Sequence, residues 1–361
     1  MPVSHVDDSW RPALFAAAEY EIRLLARQDG VTSIHDTVED QLEELVLARR
    51  SGLTPTKAEL EEDKAGLTGG RPLAEYGTWV FYPWSGRVVH VLPRSEFREL
   101  RTDRNRDKIT RAEQHALLGR RLGVIGLSVG GSAAMTCAME GVGALFRLAD
   151  FDRLGASNLN RLSAGVHDLG VEKSVLLARR MYEFDPYLEI ELYRDGLTEE
   201  TVEEFVNGLD LLVEECDTPW VKIAARQHAR QLGVPVVMDC NDRGMLDVER
   251  FDLDARRPLL HGRIHDVAPA TVRSAGRTEL VELLVHMVDR DRMSPALADA
   301  IDELGKTLSS WPQLASGVSL GAALVTDAAR RILLGEKVPS GRYYVDLAEL
   351  VAAESPVGGL W

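Results

Sequence analysis

Cysteine is scarce in this chain. Cys137, Cys216 and Cys240 are the only three in 361 residues. They lie far apart and form no C-x-x-C pair, which argues against a zinc knuckle and a disulfide framework. Long apolar runs are missing as well: no stretch approaches the roughly 18 residues of a membrane span. The opening Met1-Pro-Val-Ser-His has neither the basic nor the apolar region of a signal peptide. These absences predict a cytoplasmic protein with no membrane partner. Basic charge is in deficit, since 42 Lys and Arg face 57 Asp and Glu, for a net charge of −15. Such a surface repels phosphate backbones, so nucleic acid is a poor default partner. Repeats and low-complexity segments are absent. His228, His261, His265 and His286 show no metal-ligand spacing and read as structural or surface residues.

What is present is enough for two domains and a sizeable core. Residues 1 to about 70 read as helical, with three- and four-residue apolar spacing over 10–27 and 38–50, a stop at Ser51-Gly52, and a third piece over 55–67. The texture then changes. Aromatic and β-branched residues flank Ser85-Gly86 and predict a β-hairpin. Its aromatics Trp79, Phe81, Tyr82 and Trp84 read first as core, with a lid or partner surface as the sharper alternative. Residues 98–121 are strongly basic, and Arg104-Asn105-Arg106 stands close before the next segment. A solvated helix face is the plain reading of such a run.

From Gly123 the pattern alternates strand and helix. Strands are predicted at 121–127, 144–151, 188–194, 210–216, 234–239 and 258–264, and helices at 129–141, 171–183, 198–207 and 219–232. That is the signature of a doubly wound, Rossmann-like, mostly parallel α/β sheet. Residues 265–310 read as a less regular insert with helices near 279–289 and 294–304. A long small-residue helix follows to Leu334, and Tyr343-Tyr-Val-Asp-Leu reads as a final strand. The helix should pack its Gly and Ala positions on a sheet face or another subunit.

The stretch 121–161 organises the rest. A buried strand runs into Gly126-Leu-Ser-Val-Gly-Gly131, a helix follows, and a second strand ends on Asp150. Glycines let backbone N–H groups approach phosphates, and the helix N-terminus behind them favours negative charge. Asp150, 24 residues past Gly126, stands where such folds set a carboxylate against a ribose hydroxyl. A glycine turn alone is a weak signal, and Ser128 occupies its middle glycine position. Asp150-Phe-Asp152, Asn158, Arg161 and Lys173 add more. Asn158 and Arg161 share a face at three-residue spacing. Two cations beyond the N–H donors suit a triphosphate better than a dinucleotide. Asp217, at a strand end, is a carboxylate that could hold Mg²⁺. It could also cap the next helix.

The run D-F-D-x-x-x-x-S-N-L-N-R resembles the signature of the ubiquitin-activating-enzyme superfamily, the ThiF/MoeB-type adenylyltransferases. The similarity covers about 101–240, plus Gly317-Val-Ser-Leu-Gly321 at the opening of the late helix. It implies Mg-ATP-dependent adenylation of a carboxylate, such as a peptide or ubiquitin-like C-terminus, with pyrophosphate release. By that resemblance Gly126, Ser128, Gly130, Gly131, Asp150, Asp152, Asn158, Arg161 and Lys173 bind ATP, and Asp217 holds magnesium. It further implies that Arg106, Arg161, Lys173 and Asp217 act in catalysis, with Arg106 reaching the ATP of the other subunit of a homodimer. The departures are specific. Zinc-binding C-x-x-C pairs are missing, and no cysteine follows Cys240, where thiol-forming members place theirs. Some relatives are fused to a nitroreductase-like domain; none is expected here, which leaves such a protein as a candidate partner.

The sequence therefore predicts an N-terminal α+β module over 1–100 and a ThiF-type adenylating domain over 101–361 containing the 265–310 insert. The expected activity is ATP-dependent activation of a carboxylate as an acyl-adenylate. An NAD-dependent oxidoreductase and an inactive partner subunit are the alternatives.

Overall fold

The computed structural model describes residues 9–351 apart from 21, 28, 51–52, 265–266, 288–289 and 305. The predicted stop at Ser51-Gly52, the reading of Met1 to His5 and His265 lie outside the described residues. The chain groups into two compact units.

The first unit runs to Gln114 and includes Ala178–Leu188. Its elements are β1 (Ala13–Ala16), α1 (Ile22–Leu25), β2 (Ser33–Asp36), α2 (Val38–Arg49), α3 (Lys57–Thr68), β3 (Thr78–Tyr82), β4 (Arg87–Val91) and α4 (Arg94–Arg101); α5 (Arg111–Leu118) crosses its boundary. The sheet order is β1-β3-β4-β2, with β3 and β4 the expected hairpin and β2 parallel to β4. Trp79 is buried and stacks on His90 at 4.0 Å, and Tyr82 is buried too, so both serve as core. α3 starts where Thr56 and Glu59 form a reciprocal capping box and stops at Gly69 in the left-handed conformation. The long helix expected over 10–27 is replaced by β1 and the short α1. Pro12 falls in what would be a first helical turn, where proline is tolerated; it is antiparallel pairing with β3 that draws Ala13–Ala16 into a strand. β2 was not expected; Ser33–Asp36 is a four-residue edge strand without a buried apolar row.

The second unit contains β5 (Arg121–Ile125), α6 (Gly130–Glu140), β6 (Leu145–Ala149), α7 (Lys173–Phe184, whose later turns belong to the first unit), β7 (Glu189–Tyr193), α8 (Val202–Val206), β8 (Leu211–Glu214), α9 (Pro219–Leu232), β9 (Val236–Cys240) and β10 (Met245–Glu249). Then come α10 (Pro269–Arg273), α11 (Arg277–Met287), α12 (Pro295–Glu303), α13 (Ala315–Leu333), β11 (Gly341–Tyr344) and α14 (Leu347–Leu350). The sheet order is β11-β10-β9-β8-β5-β6-β7. The five strands from β9 to β7 are parallel, and β10 and β11 extend the sheet antiparallel. The order reverses between β5 and β8, the crevice where open α/β sheets bind ligands.

The strand expected at 258–264 is a short 3-10 turn at Leu259–Gly262, with Leu260 and His261 at φ 47° and 58°. The sixth strand is β10, whose Asp247 and Glu249 are fully buried. Both are paired with cations, Asp247 with Arg342 and Glu249 with Arg226. Two acidic residues on one face, where an apolar row is expected, hid the strand from an apolar-pattern reading. The small-residue helix α13 packs on α6 and on the sheet face over β8, β9 and β10, all in its own unit.

Candidate functional site

The site is built at the C-terminal ends of β5, β6 and β8. Gly126 follows β5 at φ 83°, and a Cβ there would meet the backbone of Glu215 and Cys216 at 2.7 Å. Only glycine lets the turn pass so close to the end of β8. The turn is tied on both sides: the Gly126 amide donates to the Ala149 carbonyl at 3.0 Å, and the Glu215 amide to the Ile125 carbonyl at 2.8 Å. α6 begins at Gly130, directly after Val129, with Gly130 and Gly131 both buried. Its first amides therefore open toward the crevice, as anion sites at helix N-termini do.

Asp150, buried at the end of β6, accepts the Leu127 amide through Oδ2 at 2.7 Å and the Asp152 amide through Oδ1 at 2.7 Å. Burial raises its carboxyl above the usual range, against the pull of Lys173. Lys173 opens α7 and is itself buried, with Nζ on Asp152 Oδ2 at 2.7 Å. Asn158 accepts the Gly155 amide at 2.9 Å and so shapes the loop that carries Arg161. Arg161 Nε donates to Ser128 Oγ at 3.2 Å, linking this loop to the glycine turn. The serine is thus a positioned acceptor for a cation.

Asp217 lies just beyond β8. It is solvent-exposed, yet it sits recessed among neighbours. That crowding raises its carboxyl, while Lys222, Lys173 and Arg161 pull it down. The same proximity acts in reverse on Arg161, which burial lowers and Asp217 raises. Ser128, Asp150, Asp152, Arg161, Lys173 and Asp217 therefore share one crevice. Arg106 belongs to the first unit, where its Nε pairs with Asp103 Oδ1 at 2.9 Å.

No group of three or more His, Cys, Asp or Glu among the described residues forms a metal cage. A single accessible carboxylate still fits Mg²⁺, which keeps several waters and is usually held by one or two carboxylates together with substrate phosphates. The cysteine thiols are held toward the protonated form. Burial pushes Cys137 to about 12, Cys240 to about 11 and Cys216 well above its usual value. High thiol pKa values leave little thiolate.

Two features had no role in the sequence reading. One is a cavity of about 370 Å³ beside Asp217, at the ends of β8 and β9. Its apolar wall includes Leu284 and Met287 of α11, Leu297 of α12 and Trp311. The 265–310 insert thus supplies much of the wall, which no local motif announced. The other is a buried ion network under β8. Arg226 is fully buried and bonds Glu214 and Glu249, and Lys222 Nζ reaches Glu214 at 2.8 Å. Glu214 Oε1 in turn accepts the Cys216 amide at 3.0 Å, one residue before Asp217.

Comparison with known proteins places the chain. An uncharacterized protein of Mycobacterium tuberculosis is 44% identical over 276 residues, covering 76% of this chain and 39% of that protein. The tRNA threonylcarbamoyladenosine dehydratase of Bacillus subtilis is 29% identical over 153 residues, covering 42% of this chain and 60% of that one. The chain therefore spans less than two thirds of either relative. Among solved structures, the E. coli tRNA N6-threonylcarbamoyladenosine dehydratase in complex with ATP aligns with a TM-score of 0.48 and 15% identity, over 66% of this chain and 95% of that one. Residues 102–240, which hold the glycine turn, Asp150, Arg161, Lys173 and Asp217, match the ThiF family, so the chain carries a ThiF-family domain.

Proposed function

We propose that the protein is an ATP-dependent adenylyltransferase that activates a substrate carboxylate. The observation that carries this reading is the convergence of Ser128, Asp150, Arg161, Lys173 and Asp217 on the crevice where the strand order reverses. ATP lies over Gly126 to Gly131, with Asp150 toward the ribose and Asn158 shaping the phosphate loop. Arg161 and Lys173 neutralise the phosphates, since adenylyl transfer depends on positioning and on cations. Mg²⁺ at Asp217 would supply further charge neutralisation. A carboxylate oxygen attacks the α-phosphorus, the bond from that phosphorus to the bridging oxygen breaks, and pyrophosphate leaves with the electron pair.

The cavity beside Asp217 is the place for the acyl substrate. A peptide or ubiquitin-like C-terminus and a small carboxylic acid are both compatible with adenylation. The dehydratase relatives are named for a modified tRNA nucleoside, but the net charge of −15 disfavours a tRNA substrate. Arg106 acts in trans across a homodimer in this reading, and a nitroreductase-like protein is a candidate downstream partner.

The deciding experiment is ATP–pyrophosphate exchange with a panel of carboxylates, run beside direct nucleotide binding. Carboxylate-dependent exchange is the expected result. Tight NAD binding with no ATP binding overturns the proposal in favour of an oxidoreductase.

A further inference from the structure

Four buried acceptor oxygens around the cavity meet no nitrogen donor among the described residues; only the neighbouring carboxyl of Glu215, which burial and Asp239 raise well above its usual range, faces the Asp239 carboxylate. The four oxygens are Oδ1 and Oδ2 of Asp239, Oδ1 of Asn241 and Oε1 of Gln313, and all three residues line the cavity. Buried acceptors are normally satisfied, and leaving them bare is costly. Among the described residues, no unpaired buried donor lines the same cavity. The unpaired buried atoms at this cavity are all acceptors.

Asp239 is held firmly in this position. It is 5% exposed, and its amide donates to Glu215 Oε1 at 2.6 Å. α13 approaches so closely at Gly321 that a methyl group there would overlap the Asp239 carboxylate. The small residue keeps room for the acid. Lys222 is the cavity's nearby cation, but it is already bonded to Glu214 at 2.8 Å and lies 3.3 Å from Met238 Sδ. Around this polar corner the lining is apolar, with Met238, Met245, Leu284, Met287, Leu297 and Trp311.

The spacing connects this corner to the adenylation crevice. β8 and β9 pair in parallel with Val213 opposite Val237, which carries Glu215 beside Asp239 two residues on. Adjacent strands are about 4.8 Å apart. Asp217 therefore lies one strand over and two residues further from Asp239. The polar corner and the adenylation crevice are therefore contiguous along one cavity that both Asp217 and Asp239 line.

We propose that the cavity takes a carboxylic acid that also carries a protonated amine and an apolar body, a substrate of the amino-acid kind, with its ammonium received by Asp239, Asn241 and Gln313. Three N–H donors on one positive centre answer three acceptor side chains, and the apolar wall receives the body of the molecule. The inference names the substrate class of the proposed adenylation site and rests on that reading. It disfavours a peptide C-terminus, which presents a carboxylate without a neighbouring ammonium.

The test titrates the full chain calorimetrically with L-leucine and L-phenylalanine, and with their amine-free counterparts isocaproate and hydrocinnamate. Each titration is run with and without ATP, alongside pyrophosphate exchange. The amino acids are expected to bind at least about tenfold more tightly, as a charge-assisted hydrogen-bond set requires. Asp239→Asn removes that preference while ATP binding stays unchanged. Asn241→Ala narrows it and serves as the second variant if Asp239→Asn fails to fold. Equal binding of the amine-free acids, no saturable binding by any of the four, or saturation of the corner by Mg²⁺ alone overturns the proposal. Amino-acid selectivity without ATP binding or exchange would leave the ammonium site standing and remove the adenylation reading. Exchange supported equally by the amine-free acids does the reverse.

Discussion

Asp150 Oδ2 accepts the Leu127 amide at 2.7 Å, so the carboxylate at the end of β6 fastens the glycine turn that follows β5. Its other oxygen fastens Asp152 in the same way. The residue read from sequence as a ribose ligand is, in the structure, a clamp that shapes the glycine turn. Asp150→Asn keeps one acceptor and turns an amide donor on the other N–H. An unsatisfied buried donor costs about 1–3 kcal/mol. The expected outcome is a lower melting temperature together with loss of the stabilisation that ATP confers. A variant that melts lower but keeps its full ATP-induced shift would assign Asp150 to the turn alone.

Arg161 and Ser128 give a separable pair. In the proposed site Arg161 is the cation that would face the phosphates, and Ser128 accepts its Nε–H at 3.2 Å. Losing a preorganised charge-stabilising donor costs about 10²–10³ in rate. Arg161→Ala is expected to fall in that range in pyrophosphate exchange, with a normal circular-dichroism spectrum. Ser128→Ala removes one hydrogen bond to a charged group, worth about 1.5–3 kcal/mol at most, and should mainly weaken ATP binding. Equal loss of rate in both variants would make the serine a direct phosphate ligand.

In the first unit, Glu99 receives Arg49 at 2.6 Å and Arg111 at 2.6 Å, and these bonds hold its carboxyl at about 2 against an ordinary 4.5. A carboxyl depressed by folding contributes stability that is complete above its unfolded value and fades as pH falls through the folded one. The contribution of Glu99 is therefore full at neutral pH and is lost between 4.5 and about 2. Glu99→Gln should be less stable than wild type at pH 7, with the gap closing as the pH drops through that window. Urea titrations across the pH range read this directly; a gap independent of pH would mean that the ion pairs contribute nothing.

The parallel core was legible because β5, β6, β8 and β9 are short apolar runs, each ended by glycine or acid and separated by amphipathic helices. The residues expected to meet there, from Ser128 to Asp217, come from loops at those strand ends, so the topology gathers them. What escaped was set by tertiary pairing. The apolar spacing of residues 10–27 fits a helix as well as β1 plus α1, and only the partner strand β3 decides. β10 was hidden because its Asp247 and Glu249 count as surface residues until Arg342 and Arg226 bury them. Asp239 falls at the end of the strand read at 234–239, but the close approach of Gly321 and the company of Gln313 come from 82 and 74 residues away.

The network around Arg226 makes the remaining prediction, because it holds the strand end that precedes Asp217. Arg226 is fully buried, with Nε on Glu249 Oε2 at 2.6 Å and Nη1 on Glu214. Burial pushes Glu214 up, but Lys222 and Arg226 outweigh it and hold the carboxyl at about 2. Removing one partner of a buried pair leaves an uncompensated charge, at a cost of about 3–5 kcal/mol. Arg226→Met should lose stability of that order in chemical denaturation at pH 7. Its loss should shrink as the pH falls, for two reasons with the same sign. The wild type gives up its Glu214 contribution on the way down to about 2. The variant, whose bare carboxyls titrate higher, is relieved as they protonate. Arg226→Met combined with Glu249→Met leaves the Lys222–Glu214 pair intact and should recover part of the loss. If the double variant is no more stable than Arg226→Met alone, the cost lies in packing around the guanidinium rather than in stranded charge.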